Sequence, residues 1–415
     1  MNQHSDVKPG KIPFTGYQKL VVAILAFLQF TIILDFMVLS PLGALVMPAL
    51  KIGPQQFGMV VSAYAFSAGA SGILAAGYAD RFDRKRLLLF FYVGFVLGTA
   101  LCGLAQNFEM LLFARIVTGI FGGVIGSIVL AVTTDLFALE MRGRVMGVIQ
   151  TAFAASQILG LPLALYLSTL WDWHAPFVLI VVVSAAVGIL IAFYMRPVDM
   201  HLGQKQERGP FAHLRATVTE PRHLLAFCTV ALLATGGYML MPFGSAFTVN
   251  NLKIDLEHLP TIYLVTGLFT ILIGPLVGRA SDRFGKFNVF LAGSVVSIAT
   301  VLFYTNLGPT PLFEVVVINV VLFVGIFSRM IPAQALMTAI PEPSKRGAFN
   351  AVSASLQQVS GGVAAVIAGS LVAEGADGRL EHFPRLGYVV VGASLITLFF
   401  MYKIHRAIPE KPVQV

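Results

Sequence analysis

The sequence AGYADRFDRKR at residues 76–86 decides the fold of this chain, because a related stretch, GRASDRFGK, follows at residues 278–286. The shared Asp-Arg-Phe triplet begins at Asp80 and again at Asp282, 202 residues later. A copied motif at this distance indicates an internal repeat that occupies about half of the chain.

A second match supports the same repeat. The dipeptide Arg-Gly begins at Arg142 and again at Arg346, an offset of 204 residues. Each match falls in an equivalent polar loop between long apolar segments. Since about 20 apolar residues cross a bilayer as a helix, these segments are predicted to be membrane spans. Twelve spans are predicted, at residues 19–46, 56–77, 87–104, 109–136, 143–168, 174–195, 223–247, 259–277, 287–306, 311–338, 347–372 and 384–404.

The composition agrees with a membrane protein. The chain has 415 residues, of which 57% are hydrophobic and 12% are charged, whereas soluble domains carry about 25% charged residues. This excludes a soluble enzyme, a disordered chain and a nucleic-acid-binding protein, although the net charge is +8. Cys102 and Cys228 lie in apolar segments, so neither a disulfide framework nor a metal site is indicated.

The basic residues predict the orientation in the membrane. Of the 28 Lys and Arg residues, 22 lie in the terminal segments and the loops on the side of the termini, and four lie in the loops on the other side. Cytoplasmic loops carry the excess of Lys and Arg. We therefore expect a multi-pass protein of the inner (cytoplasmic) membrane with both termini in the cytoplasm.

The longest polar stretch divides the spans into two equal sets. Residues 197–222 contain no segment long enough to span a membrane. The predicted organisation is a six-helix half at 1–196, a cytoplasmic linker at 197–222 and a second six-helix half at 223–415. The fold class is an all-α membrane protein with twelve helices in two parallel repeats.

The repeated loop resembles the signature of the major facilitator superfamily, G-x-L-A-D-R-x-G-R-K. The first copy keeps the Asp-Arg and Arg-Lys pairs but has Ala76 and Asp83 at the two glycine positions, whereas the second copy keeps both glycines. The motif Leu112-x-x-Arg115-x-x-x-Gly119 in span 4 is similar to that of proton-coupled members. The resemblance is to bacterial twelve-helix drug and sugar-efflux proton antiporters.

Span 5 departs from the family pattern. Antiporters carry a glycine-rich run that ends in G-P-x-x-G-G, but residues 156–164 read SQILGLPLA. Glycine and proline are present out of register, and the closing glycines are missing, which weakens the assignment as an antiporter.

Asp35 and Arg115 are the predicted proton-coupling residues. Asp35 lies deep in span 1, and ionisable residues within a membrane are functional candidates by default. Burial favours the neutral acid and a neighbouring arginine favours the carboxylate, so the two effects compete. The alternative is a structural ion pair that never titrates.

Four further polar residues within the spans are predicted to bind substrate together with Asp35 and Arg115. In the superfamily, helices 1, 4, 7 and 10 line the central cavity, which favours Gln29, Tyr238, Asn319 and Arg329. Pro332 loosens the helix close to Arg329. The alternatives are hydrogen bonds between helices for the amides, packing for Tyr238, and capping or snorkelling for Arg329.

The signature loops predict a conformational latch. Asp80 can lie against the N-terminus of span 11, where the helix dipole favours negative charge, and Asp135 is the predicted partner of Arg81 or Arg84. Asp282 and Arg283 are their counterparts in the second half. As proposed for the family, this latch would stabilise the outward-open state. Alternatively, these charges only set the topology.

The sequence contains no nucleotide-binding loop, zinc-ligand spacing or nucleophile elbow, so we expect a transporter that is not an enzyme and needs no cofactor. We predict proton-coupled export of small organic molecules, a drug or metabolite, by alternating access. Its partners would be the substrate, protons and the lipid bilayer, without nucleic acid, and the protein would be a monomer. The alternatives are a facilitator or symporter for a sugar or organic anion, and a receptor or scaffold that does not transport.

Overall fold

The computed structural model describes residues 13–75, 81–199, 217–342 and 346–407. Within these ranges, twelve helices are long and apolar enough to cross a membrane. They are α1 (Gly16–Val38), α2 (Pro54–Ala75), α3 (Arg84–Cys102), α4 (Phe108–Leu136), α5 (Glu140–Leu170), α6 (Ala175–Tyr194), α7 (His223–Asn250), α8 (Leu256–Phe284), α9 (Lys286–Thr305), α10 (Leu312–Met337), α11 (Gly347–Leu371) and α12 (Phe383–Ala407). The predicted number and order of spans are confirmed.

The first span is shorter than predicted. Helix α1 ends at Val38, and after a turn a separate short helix covers Gly43–Leu50. The break falls around Pro41, which lacks a backbone N–H and disfavours helical geometry at the residue before it. The chain therefore changes direction at the end of α1, where a continuous apolar run had suggested a single helix over 19–46.

A small hairpin joins α11 to α12. Strand β1 (Ala373–Glu374) pairs antiparallel with β2 (Leu380–Glu381). The Asn251 side chain, after the end of α7, donates to the Leu380 carbonyl at 3.0 Å and accepts from the Leu380 amide at 2.9 Å. This two-way contact ties the loop between the last two helices to α7.

The bundle has two chemically different ends. The basic end carries the start of α1 and the connections that contain Arg81, Arg142 and Arg196, and the Arg196 amide donates to the Tyr17 hydroxyl at 2.9 Å there. The opposite end carries the short helix and the hairpin. One apolar core includes buried residues of both halves, among them Leu28 and Phe383.

The halves close against each other at the opposite end through small residues. A Cβ on Gly58 of α2 would lie 2.7 Å from the Ala365 carbonyl oxygen of α11, and one on Gly369 would lie 2.8 Å from the Pro54 carbonyl oxygen. Next to them, Ser245 Oγ donates to the Ser40 carbonyl at 3.1 Å. Small residues at helix contacts let backbones approach within a membrane, and here they seal one end of the bundle.

Helix α5 contains a π-helical turn at Ser156–Gly160, directly before Pro162. A proline ring clashes with the carbonyl four residues earlier, which widens the helix locally. The turn also contacts α8, because a Cβ on Gly267 would lie 3.0 Å from the Ile158 side chain. The glycine–proline sequence of this span therefore shapes a contact between the halves.

The predicted linker at 197–222 lies largely outside the described residues. Its first residues are fixed to the start of α3, because the Val198 amide donates to Asp83 Oδ2 at 2.7 Å and its carbonyl accepts from the Arg84 amide at 3.0 Å. The boundaries of the two halves remain predictions.

We expect Gly58→Ala to open the opposite end, because its methyl group would collide with the α11 backbone only in the closed arrangement. Overpacking a close contact costs about 1–3 kcal/mol, so the closed population should fall several-fold. Ser245, which is buried in this contact, serves as the reporter. After removal of Cys102 and Cys228, the Ser245→Cys thiol should react faster with a membrane-impermeant maleimide when Gly58→Ala is present.

The matched control is Gly274→Ala, since a Cβ there meets no atom within 4 Å. If both alanine variants leave the labelling rate at the parent value, Gly58 does not hold this end closed.

Candidate functional site

A buried ion pair occupies the first half. The exposed fraction is 0% for Asp35 in α1 and 1% for Arg115 in α4. Arg115 Nη1 donates to Asp35 Oδ2 at 2.9 Å and lies 3.4 Å from the Asp35 carbonyl oxygen. The two residues predicted for proton coupling are thus in direct contact.

Thr99 of α3 completes the environment of the carboxylate. Its Oγ1 donates to Asp35 Oδ1 at 3.0 Å, so each carboxylate oxygen has a donor. The preceding residue is Gly98, and a Cβ there would lie 2.8 Å from the Thr118 amide nitrogen of α4. Because this glycine lets α3 and α4 touch, Thr99 and Arg115 both reach the same carboxylate.

Tyr64 of α2 covers the guanidinium. The Arg115 Cζ lies 4.4 Å from the centre of the Tyr64 ring, a cation–π contact worth about 2 kcal/mol when desolvated. Gly119 makes this possible, because a Cβ at that position would lie 2.5 Å from the Tyr64 carbonyl oxygen. Arg115 and Gly119 are one helical turn apart, so the spacing of their motif brings a charge and a close helix contact to one face of α4.

The opposite charges of Asp35 and Arg115 cancel, so the pair carries no net charge. The apolar interior of the bundle can therefore hold both side chains. Removing one partner of a buried pair costs about 3–5 kcal/mol, because the remaining charge loses its compensation. The Nε of Arg115 has no hydrogen-bond partner among the described residues, so within them even the intact pair leaves one donor unused.

Aromatic side chains connect the ion pair to the second half. The Tyr64 ring centre lies 5.3 Å from that of Phe36, and Phe36 lies 5.8 Å from Tyr238 of α7. The Tyr238 hydroxyl then donates to Gln358 Oε1 of α11 at 2.6 Å. Phe36 directly follows Asp35 in α1, so one helix presents the carboxylate to its own half and an aromatic ring to the other.

A cavity of about 350 Å³ lies in the second half, between α7, α10 and α11. Its lining residues come from the parts of these helices that are nearer the basic end, and they include Tyr238, Gln334, Phe349 and Gln357. Tyr238, predicted to bind substrate, therefore reaches both a cavity and the aromatic contact with the first half.

The other predicted binding residues are not gathered at this cavity. Asn319 donates from Nδ2 to the Val315 carbonyl of its own helix at 2.9 Å. Gln29 has a buried Oε1 that finds no hydrogen-bond partner within the described ranges. Arg329 is buried and lines a smaller cavity that borders the large one. The structure thus joins Asp35 and Arg115 but places the remaining candidates apart from them.

The predicted latch is only partly within the described residues. Asp80 lies outside them. Arg84 Nε lies 3.1 Å from Asp135 Oδ2, a contact within the first half, while Arg81 is exposed. Asp282 Oδ1 lies 3.9 Å from Lys286, and Arg283 lies over the neighbouring Phe284 ring. The latch therefore remains a prediction.

Sequence reasoning missed the neighbours that shape the ion pair. Thr99, Tyr64 and Phe36 all lie within spans where threonine and aromatic residues are common, so their type alone gives no signal. The glycines beside them, Gly98 and Gly119, are the available signal, because a glycine within a membrane helix often marks a close helix contact. The described ranges contain no group of three or more His, Cys, Asp or Glu residues able to hold a metal ion.

Twelve helices able to span a membrane, a closed end and a buried ion pair are features of a membrane transporter. The comparison with known families agrees: the model of the Major Facilitator Superfamily matches residues 25–365, and a second match covers 226–414. The chain belongs to the Major Facilitator Superfamily, and the predictions of a transporter that is not an enzyme and of this family are confirmed.

Individual relatives are distant. An uncharacterized MFS-type transporter of Bacillus subtilis, YceJ, is 27% identical over 65% of this chain and 68% of its own length. A probable sugar efflux transporter of Helicobacter pylori is 24% identical over 56% of this chain, and the match spans only 60% of that relative. The crystal structure of a bacterial homolog of the human lysosomal transporter Spinster, inward-facing and unoccupied, has a TM-score of 0.77. It is 16% identical over 97% of this chain and all of its own, so it supports the fold alone.

We expect Arg115→Lys to lower transport at least about tenfold although the charge is kept. A lysine ammonium is a point charge without the planar guanidinium, so it cannot both donate to Asp35 and lie flat on Tyr64. The measurement is uptake into proteoliposomes over a compound panel, at equal amounts of folded protein.

Arg385→Lys, at an exposed position of α12, is the matched control and should transport as the parent does. Parent activity in Arg115→Lys together with loss in Arg115→Ala would mean that only the charge is required there.

Proposed function

We propose that this protein is a proton-coupled exporter of small organic molecules that works by alternating access. One observation carries the proposal: a carboxylate that is 0% exposed is held by an arginine at 2.9 Å inside the apolar bundle. Ionisable residues at such positions mark proton relays and substrate paths in transporters.

The chemistry of the pair supports a proton-dependent step. The carboxylate form of Asp35 accepts from both Arg115 and Thr99. When Oδ2 takes up a proton, the counter-charge of Arg115 is lost, and the guanidinium must find another acceptor or water. Arg115 then shifts on the Tyr64 ring, which packs on Phe36. Phe36 also contacts Tyr238, so the shift acts on the contact between the halves.

The proposed direction follows from the orientation. The excess of Lys and Arg assigns the basic end to the cytoplasm, and the cavity of about 350 Å³ is lined by the parts of α7, α10 and α11 nearer that end. Substrate would therefore load from the cytoplasm in this arrangement. A proton that moves into the cytoplasm across a membrane potential of about 100 mV supplies about 2.3 kcal/mol for the export of substrate.

The principal alternative is a facilitator or symporter for a sugar or organic anion, and the buried Arg329 favours an anionic substrate. The name of the Helicobacter pylori relative, a probable sugar efflux transporter, is consistent with export of a sugar. A receptor or scaffold that does not transport would need neither the ion pair nor the cavity. We further propose a monomer in the inner membrane with both termini in the cytoplasm.

We expect Asp35→Asn to abolish transport driven by a pH gradient while exchange of substrate without a gradient continues. The amide keeps the shape and an acceptor oxygen but cannot carry the proton. Proteoliposomes with and without a pH gradient, tested with ethidium, lactose and benzoate, separate the two activities.

Glu109→Gln is the control, because this acid is exposed in the first turn of α4. Since Asp35→Asn leaves Arg115 uncompensated, the double variant Asp35→Asn/Arg115→Gln should recover thermal stability without recovering gradient-driven transport. Undiminished gradient-driven transport in Asp35→Asn contradicts the coupling role.

We expect Phe36→Ala to weaken the coupling of proton and substrate movement, because loss of the Phe36 ring would remove its contacts with both Tyr64 and Tyr238. The number of protons moved for each substrate molecule should fall, whereas gradient-free exchange should persist. Phe27→Ala changes the same residue type on an exposed part of α1, where the side chain is 57% exposed, and should behave as the parent. A coupling ratio that is equal in both variants would show that Phe36 only fills space.

A further inference from the structure

Arg329 is a buried cation for which the described residues supply no counter-charge. Only 7% of the residue is exposed, and none of the salt bridges among the described residues involves its guanidinium. Its Nε has no hydrogen-bond partner. Its nearest polar contact is Ser297 Oγ, 3.5 Å from Nη1, and the Phe290 ring centre lies 6.0 Å from Cζ.

Arg115 and Arg329, both buried within spans, therefore differ in kind. Arg115 is neutralised by Asp35, whereas Arg329 has one long contact with a hydroxyl group and a distant ring. A buried charge is expensive unless it is paired and hydrogen-bonded. Among the described residues of the second half, Arg329 is thus the buried charged residue that most clearly lacks an opposite charge nearby.

Arg329 lies at one of two adjoining cavities. The arginine lines a cavity of about 80 Å³, and this cavity shares Leu233, Gly237 and Met330 with the cavity of about 350 Å³. The larger cavity contains a second unsatisfied group, because Ser353 Oγ is buried and has no hydrogen-bond partner in the part of the chain that the structure describes. Two polar groups that lack partners, at two adjoining cavities, indicate a polar ligand.

We propose that Arg329 binds the carboxylate of an amphipathic organic anion, whose apolar body lies in the larger cavity. This inference rests on the proposed function and names its substrate class. Guanidinium and carboxylate groups form paired charge-assisted hydrogen bonds, and the small cavity of about 80 Å³ has room for a carboxylate.

The larger cavity fits the rest of such a molecule. Its volume of about 350 Å³ lies within the range of about 300–1,000 Å³ usual for small-molecule sites. Tyr238, Met337 and Phe349 supply an apolar wall, and Gln334 and Gln357 supply amide groups. Tyr238 also contacts Phe36, next to Asp35, so an anion bound here would touch the aromatic contact that leads to the ion pair.

A structural arginine would behave differently from a ligand-binding one. If Arg329 only supports its neighbours, Arg329→Gln should lower the melting temperature of the protein without ligand. If Arg329 is held uncompensated for a ligand, removing its charge should leave that melting temperature unchanged or raise it.

The test is thermal unfolding of the purified protein in detergent, without any gradient. Benzoate, cinnamate and naphthoate are compared with the alcohols and ammonium compounds of the same ring systems. We expect at least one carboxylate to raise the melting temperature of the parent more than its matched alcohol or ammonium compound. Arg329→Gln should weaken the binding of that carboxylate at least about tenfold, which corresponds to the loss of a charge-assisted hydrogen bond. The binding of the alcohol should be unaffected.

Arg385→Gln is the control for loss of one positive charge at an exposed site, and Arg329→Lys serves as a second variant that keeps the charge. Equal stabilisation by carboxylates and alcohols, unchanged carboxylate affinity in Arg329→Gln, or a lower melting temperature of that variant without ligand would overturn the proposal. Asp35→Asn should still bind the carboxylate, so failure of proton coupling and failure of anion binding are seen separately.

Discussion

Asp35 and Arg115 can remain charged inside the bundle because each supplies the counter-charge of the other at 2.9 Å. Either charge alone would cost about 3–5 kcal/mol, so the helices that carry them must keep their register. Thr99 of α3 and Tyr64 of α2 complete the arrangement. Four helices of the first half are therefore positioned around one interaction, and a change in the protonation of Asp35 would be felt by all of them.

The second half has the same helices but different chemistry. At the two repeat offsets of 202 and 204 residues, Gly237 or Met239 takes the place of Asp35, and Val317 or Asn319 takes the place of Arg115. None of these residues is charged, and Asn319 bonds to its own helix. The uncompensated charge of this half, Arg329, lies closer to the basic end and beside a cavity. The duplicated framework thus separates two tasks, with a compensated pair in one half and a cavity in the other.

Glycine determines where helices of this bundle can touch. Gly119 brings α2 against α4, which places Tyr64 over Arg115, and Gly58 brings α2 against α11 of the other half. Helix α2 therefore contacts the ion pair and the second half at once.

The sequence by itself determined the twelve spans, their order, the duplication and the family motif, because hydropathy and short repeats are local properties of a chain. It also identified Asp35 and Arg115, since charges within apolar spans are conspicuous. It could not reveal Thr99, Tyr64 or Phe36, which are ordinary residues of membrane helices and acquire a role only through their neighbours. Only the tertiary structure decided that, among the described residues, Arg115 has a partner of opposite charge while Arg329 has none, because pairing depends on which side chains distant helices bring within a few ångströms of each other.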